Sequence, residues 1–86
     1  MMVKISFLGP IKQAIGTAEI VAEMPPLSTL GELLNKVIAD HPKIGFNNPR
    51  EIEDYYMFIV GKHVANLNCI LGDKEDVILF PFVEGG

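Results

Sequence analysis

Hydrophobic and polar residues alternate along the first stretch of the chain, Met2 to Leu8. Val3, Ile5 and Phe7 share one face, and Lys4 and Ser6 the other. A period of two predicts a strand. Gly9-Pro10 breaks it, Gly16-Thr17 marks a second turn, and alternation returns from Ala18 to Met24. There Ala18, Ile20, Ala22 and Met24 lie opposite Glu19, Val21 and Glu23, so the two runs read as a β-hairpin joined by a long loop. Pro25-Pro26 forbids further pairing, because proline has no N–H to give a ladder. The period then changes. Leu30, Leu33, Leu34, Val37 and Ile38 recur at i, i+3, i+4, i+7 and i+8, a single apolar stripe on a helix. Thr29 and Glu32 have capping-box spacing ahead of it, and Pro42 stops it near Asp40-His41.

The segment from His41 to Asp54 is polar and reads as a loop, within which Asn48-Pro49-Arg50-Glu51 can open one short helical turn. Tyr55 to Val60 is strand-like, Gly61-Lys62 is a turn, and Val64 to Leu71 reads as a weak, short strand. Residues 72–76 form a charged turn, and Val77 to Phe82 is the last strand. The order is therefore hairpin, helix, then two or three strands. A right-handed crossover over the helix lays the last strand parallel to the first. One main helix on one face of a mixed four- to five-stranded sheet is an α+β, β-grasp (ubiquitin-like) arrangement. Residues 1–86 read as one domain, with a flexible C-terminal tail at 83–86. The stripe should be covered by Val3, Ile5, Phe7, Ile20, Ala22, Val77 and Leu79.

Composition removes several function classes. The formal charge is −4 and the seven Lys and Arg residues are scattered, so nothing resembles the basic stripe of a nucleic-acid binder. No apolar run reaches the roughly 20 residues of a membrane span, and no signal segment opens the chain. A single cysteine, Cys69, excludes an internal disulfide and suits a reducing compartment, so the chain reads as soluble and cytoplasmic. His41 and His63 fall in turns, where a solvated surface position is the ordinary outcome. They show no metal-ligand spacing with Cys69, which reads as a packed or half-buried thiol rather than a nucleophile. The glycines stand dispersed at turns, without a phosphate loop, and Asp73, Glu75 and Asp76 read as a solvated turn. No metal or bound cofactor is expected, and the chain carries no catalytic constellation of its own.

What remains is the end, "LFPFVEGG", where a hydrophobic strand is followed by Val83, Glu84, Gly85 and Gly86. With glycine near 7% of residues, about one chain in two hundred ends on Gly-Gly by chance, so the pair alone decides nothing. Its context adds weight. Two residues without Cβ can enter a channel too narrow for others and approach a nucleotide closely, and the strand holds the base of the tail. A terminal carboxylate is ionised at neutral pH and a poor electrophile. It becomes useful when another enzyme activates it, most simply as an acyl-adenylate.

The pattern "DKEDVILFPFVEGG", after a hairpin, a capped helix and the "VGKHV" turn, resembles the ubiquitin-like sulfur carriers. These include the small subunit of molybdopterin synthase and the thiamin-biosynthesis carrier. "KQAIGT", Asp76-Val77 and Phe80-Pro81 are similar to the first turn and last strand of the molybdopterin subunits. Phe82 and Glu84 stand where relatives commonly have a second proline and a small residue, and Lys12-Gln13 replaces an arginine-glutamate pair. The resemblance implies that an E1-like enzyme adenylates Gly86 with ATP and that a sulfur donor then makes a C-terminal thiocarboxylate. A larger molybdopterin synthase subunit, or another sulfur acceptor enzyme, then receives the tail. Thiamin, cysteine, tRNA-thiolation or tungsten-pterin pathways would use the same tail. So would a ubiquitin-like modifier joined to lysines, while a bare interaction module would leave Gly-Gly incidental. Alternation in the last strand places Ile78, Phe80 and Phe82 away from the helix, beside Ser6 and Lys4. Aromatic residues on an uncovered sheet face near the tail point to a partner-binding surface.

Overall fold

Thr29 and Glu32 satisfy each other as their spacing predicts. In the computed structural model, which describes residues 1–82, the Glu32 N–H donates to Thr29 Oγ1 at 3.2 Å and the Thr29 N–H donates to the Glu32 carboxylate at 2.9 Å. This capping box opens helix α2, Leu30–Asp40, which ends on His41 before Pro42. Leu30, Leu33, Leu34 and Val37 are buried, and Ile38 packs partly against the same core.

Five strands form the sheet beneath: β1 Met2–Phe7, β2 Glu19–Glu23, β3 Tyr56–Val60, β4 His63–Ala65 and β5 Glu75–Pro81. Their spatial order is β2-β1-β5-β3-β4. β5 lies in the centre, parallel to β1 (Ile5 opposite Val77) and antiparallel to β3 (Phe58 opposite Leu79). The expected mixed sheet with one main helix is therefore present. Of the seven residues expected to cover the helix, Val3, Ile5, Phe7, Ala22, Val77 and Leu79 are buried and Ile20 is half-buried.

Four expectations need correction. The hairpin connection contains a short helix, α1, Pro10–Ile15, rather than a plain loop. Proline ends a strand, but its fixed φ also suits the first turn of a helix, and burial of Ile11 holds this one in place. The span from Val64 to Leu71 is strand only in β4; beyond it Ile70 makes a single bridge to Thr29. Asn66 Oδ1 accepts from the Asn68 N–H at 2.9 Å, a local turn that competes with a ladder. The Leu67 and Cys69 carbonyls instead accept the Gly31 and Leu30 N–H groups at 2.9 and 2.8 Å, so this loop serves donors that the start of α2 leaves without helical partners. Gly31 permits that approach, since a Cβ there would lie 3.3 Å from the Leu67 oxygen. The charged turn is also shorter than expected, because Glu75 and Asp76 already pair with Val3 and Lys4. Similarly, the last strand ends at Pro81, one residue before Phe82.

Between α2 and β3 a 3-10 turn at Pro42–Ile44 precedes α3, Pro49–Glu53, the helical turn expected there. Asn48 caps it, with Oδ1 accepting from the Glu51 N–H at 3.1 Å. Ile44 and Ile52 close the rim of the core. Among the described residues no helix is long and apolar enough to cross a membrane, and no group of metal-ligating side chains comes together.

Candidate functional site

The tail residues Val83, Glu84, Gly85 and Gly86 lie outside the described residues; the structure defines the post from which they leave. β5 is central, so its end is held from both sides. The Leu8 N–H donates to the Leu79 carbonyl at 3.3 Å, and the Phe82 N–H donates to the Tyr55 carbonyl at 3.0 Å. Pro81 is buried and sits opposite Tyr56. Gly9 packs against it so closely that a Cβ on Gly9 would stand 3.0 Å from Pro81 Cγ. Gly9 also has φ 76° and ψ −156°, a conformation essentially reserved for glycine. The turn that breaks β1 thus also clamps the last residue of β5. Tyr56 adds a further tie, its hydroxyl oxygen accepting the buried Ile11 N–H at 3.0 Å.

Of the three residues expected on the uncovered face of the sheet, Ile78 and Phe80 lie there, while Phe82 stands past the end of β5. Ile78 is half-buried and Phe80 is 39% exposed, and the register sets Ile78 between Ser6 and Ile59 and Phe80 beside Met57. Val64 extends the row from Ile59. Ile78, Phe80, Met57, Ile59 and Val64 therefore form one apolar strip over three strands. Lys4 bounds it on the β1 side, 3.7 Å from Asp76 and 4.0 Å from Glu19. Ion pairs this exposed add little stability; they give the strip a polar rim, as protein interfaces have.

Met57 and Ile59 went unnamed in the sequence reading, although the signal was there. "YYMFIV" is apolar at every position, the pattern of a strand with apolar groups on both faces. Phe82 stands apart from the strip's centre. It lies past the end of β5 at 61% exposure and lines a cavity of about 340 Å³ with Pro10, Phe46, Tyr55, Tyr56 and Pro81.

Of the residues read as bystanders, His63 and Cys69 line a second cleft together with Val64 of the strip. Cys69 is half-buried and His63 exposed, as expected, while His41 is half-buried at the C-cap of α2 rather than fully solvated.

No curated protein matches the chain. Among solved structures, SAMP1 from Haloferax volcanii superposes with a TM-score of 0.85 at 19% identity, covering 100% of both chains. The putative molybdopterin converting factor subunit 1 from Pyrococcus furiosus gives 0.80 at 21% identity, covering 96% of this chain and 99% of that one. A chain from the complex of subunits 1 and 2 of the molybdopterin-converting factor of Helicobacter pylori gives 0.65 at 26% identity, covering 100% of both. These likenesses confirm the β-grasp fold. The model of the ThiS family matches residues 5–86, nearly the whole chain, and the protein therefore belongs to the ThiS family, a family of ubiquitin-like sulfur carriers.

Proposed function

We propose that this protein carries sulfur as a thiocarboxylate on Gly86 and serves as the small subunit of a molybdopterin synthase. The observation that carries the reading is the family match, which runs through Gly85-Gly86. The Helicobacter pylori likeness supports the finer assignment, because that chain was solved in complex with a second subunit.

In this reading the Gly86 carboxylate attacks the α-phosphorus of ATP on an E1-like enzyme, forming an acyl-adenylate and releasing pyrophosphate. Hydrosulfide supplied by a donor attacks the acyl carbon, displaces AMP and leaves the thiocarboxylate. The larger subunit then receives the tail and uses its sulfur. This chain binds no cofactor of its own, and ATP is the activating enzyme's substrate. Its residues contribute position and recognition. Pro81 and Phe82 fix the base of the tail, and the strip around Ile78 and Phe80 docks on the partner. Val83, Glu84 and Gly85 are the arm that enters its channel.

The test is mass spectrometry after incubation with ATP, an activating enzyme and a sulfur donor. Oxygen-to-sulfur exchange nearly matches the mass of methionine oxidation. Trypsin cleavage after Lys74 releases residues 75–86, which contain none of the four methionines and no cysteine, so a shift in that peptide reports Gly86. A thiocarboxylate there supports the carrier. Higher-mass conjugates in cell lysate that vanish with Gly86, together with an absent thiocarboxylate, would favour a modifier joined to lysines. Sulfur transfer to a larger subunit in vitro separates the molybdopterin assignment from the other sulfur pathways.

A further inference from the structure

The cavity at Phe82 is a preformed aromatic site with an acidic wall. Phe46, Tyr55, Tyr56 and Phe82 supply rings, Pro10 and Pro81 supply apolar edges, and Asp54 supplies the charged group. Phe46 meets Tyr55 at a ring-centroid distance of 6.1 Å, tilted by 42°, and Tyr56 edge-on at 6.4 Å. The walls are anchored by backbone. The Tyr56 hydroxyl accepts the Ile11 N–H, the Tyr55 carbonyl accepts the Phe82 N–H, and Pro81 is clamped by Gly9. A volume of about 340 Å³ is at the small end of ligand pockets, enough for one large side chain.

The chemistry of the lining selects the occupant. Aromatic faces carry partial negative charge and attract cations, arginine best because its planar guanidinium also stacks. Asp54 lies at the C-cap of α3 and is exposed, and among the described residues no lysine or arginine stands within 4.0 Å of its carboxylate. Arg50, one turn earlier, does not pair with it either. Among the described residues no basic one lines the cavity. An aliphatic side chain would gain nothing from that carboxylate, and an acidic one would be repelled by it. Phe82 forms part of the wall and is the last described residue before the tail in the chain, so the opening lies at the tail's base. We propose that the cavity receives an arginine side chain of a partner protein, its guanidinium stacked on the rings and hydrogen-bonded to Asp54. The site is independent of what the tail carries.

The experiment titrates the full chain, isotopically labelled, with acetyl-Gly-Arg-Gly-amide and with its norleucine counterpart, followed by NMR of the aromatic and backbone signals. The expected result is shifts confined to Phe46, Asp54, Tyr55, Tyr56 and Phe82, with the arginine peptide binding about fivefold or more tighter than norleucine. Asp54→Asn should erase most of that difference while its spectrum stays that of the folded protein, since the Asp54 side chain holds no described hydrogen bond or ion pair in the fold. Tyr55→Ala should weaken the arginine peptide as well. Equal or tighter binding of norleucine, arginine affinity unchanged by Asp54→Asn, or no shifts at saturating millimolar peptide would each overturn the proposal.

Discussion

The clamp between Gly9 and Pro81 can be measured as a coupling. In Gly9→Ala the backbone must hold φ 76° and ψ −156°, which costs a residue with a Cβ about 1–3 kcal/mol. The new Cβ would also stand 3.0 Å from Pro81 Cγ, and overpacking of this kind costs a further ~1–3 kcal/mol. The expected loss is therefore about 2–6 kcal/mol, against a total of about 4–13 kcal/mol for 86 residues at ~0.05–0.15 kcal/mol each. Gly16→Ala is the internal reference. Its φ is also positive, at 91°, but a Cβ there meets nothing within 4 Å, so only a backbone cost of about 1–2 kcal/mol applies. Urea denaturation with an unchanged m-value should therefore rank Gly9→Ala well below Gly16→Ala. Pro81→Ala removes Cγ and Cδ but leaves a Cβ at 3.5 Å, an ordinary contact. In that background Gly9→Ala should lose only its backbone term, giving a coupling of about 1–3 kcal/mol. Equal losses at Gly9 and Gly16, or strict additivity with Pro81→Ala, would refute the clamp.

Other outcomes test the remaining assignments. Phe80→Glu should cost about 1 kcal/mol of stability, since the ring is only partly buried, yet weaken binding to the larger subunit by more than ~2 kcal/mol in calorimetric titration; equal losses would assign Phe80 to the fold. Deleting Gly86 should abolish adenylate formation in a pyrophosphate-release assay and leave the melting temperature within about 2 °C, because the change removes no described contact. Thr29→Ala should cost about 1 kcal/mol, as the Glu32 N–H loses its acceptor, and Thr29→Ser should restore most of it; a neutral Thr29→Ala would show that the loop at 66–70 caps α2 unaided.

How far the sequence could be read follows from how local each signal was. The capping box, the stripe of α2 and the alternation of β1 are set by residues within a few positions of one another, and each reappears in the structure. The 66–70 loop could not be read that way. Its carbonyls are committed to the N–H groups of Leu30 and Gly31, more than thirty residues earlier, and no local period announces such a partner. Pro10 misled for another reason. A strand breaker and a helix opener are the same residue, and the decision lay with Ile11, whose burial depends on the rest of the core. The outer face was half legible. Phe80 and Ile78 followed from alternation in β5, but joining them to Met57 and Ile59 required the register with β3. The aromatic cavity draws on α1, the segments flanking α3 and the end of β5, and no single stretch of sequence displays it.

Under the proposed function, the placement of β5 explains what the folded domain contributes to the tail. An edge strand is held by one ladder, and its end can fray or swing. β5 is held by β1 on one side and β3 on the other, and its last residues are tied from both directions through Leu8 and Tyr55. A chain leaving such a point starts from a fixed position and heading, so a partner does not have to order that end of the sheet when it binds. The saving scales with each residue already ordered, at roughly 1–2 kcal/mol of backbone entropy apiece. Glycine in the arm works in the opposite sense, because it has the most freedom to lose. Under the proposed function Gly85 and Gly86 give the end of the chain the smallest cross-section a polypeptide can have, which suits a narrow channel in a partner.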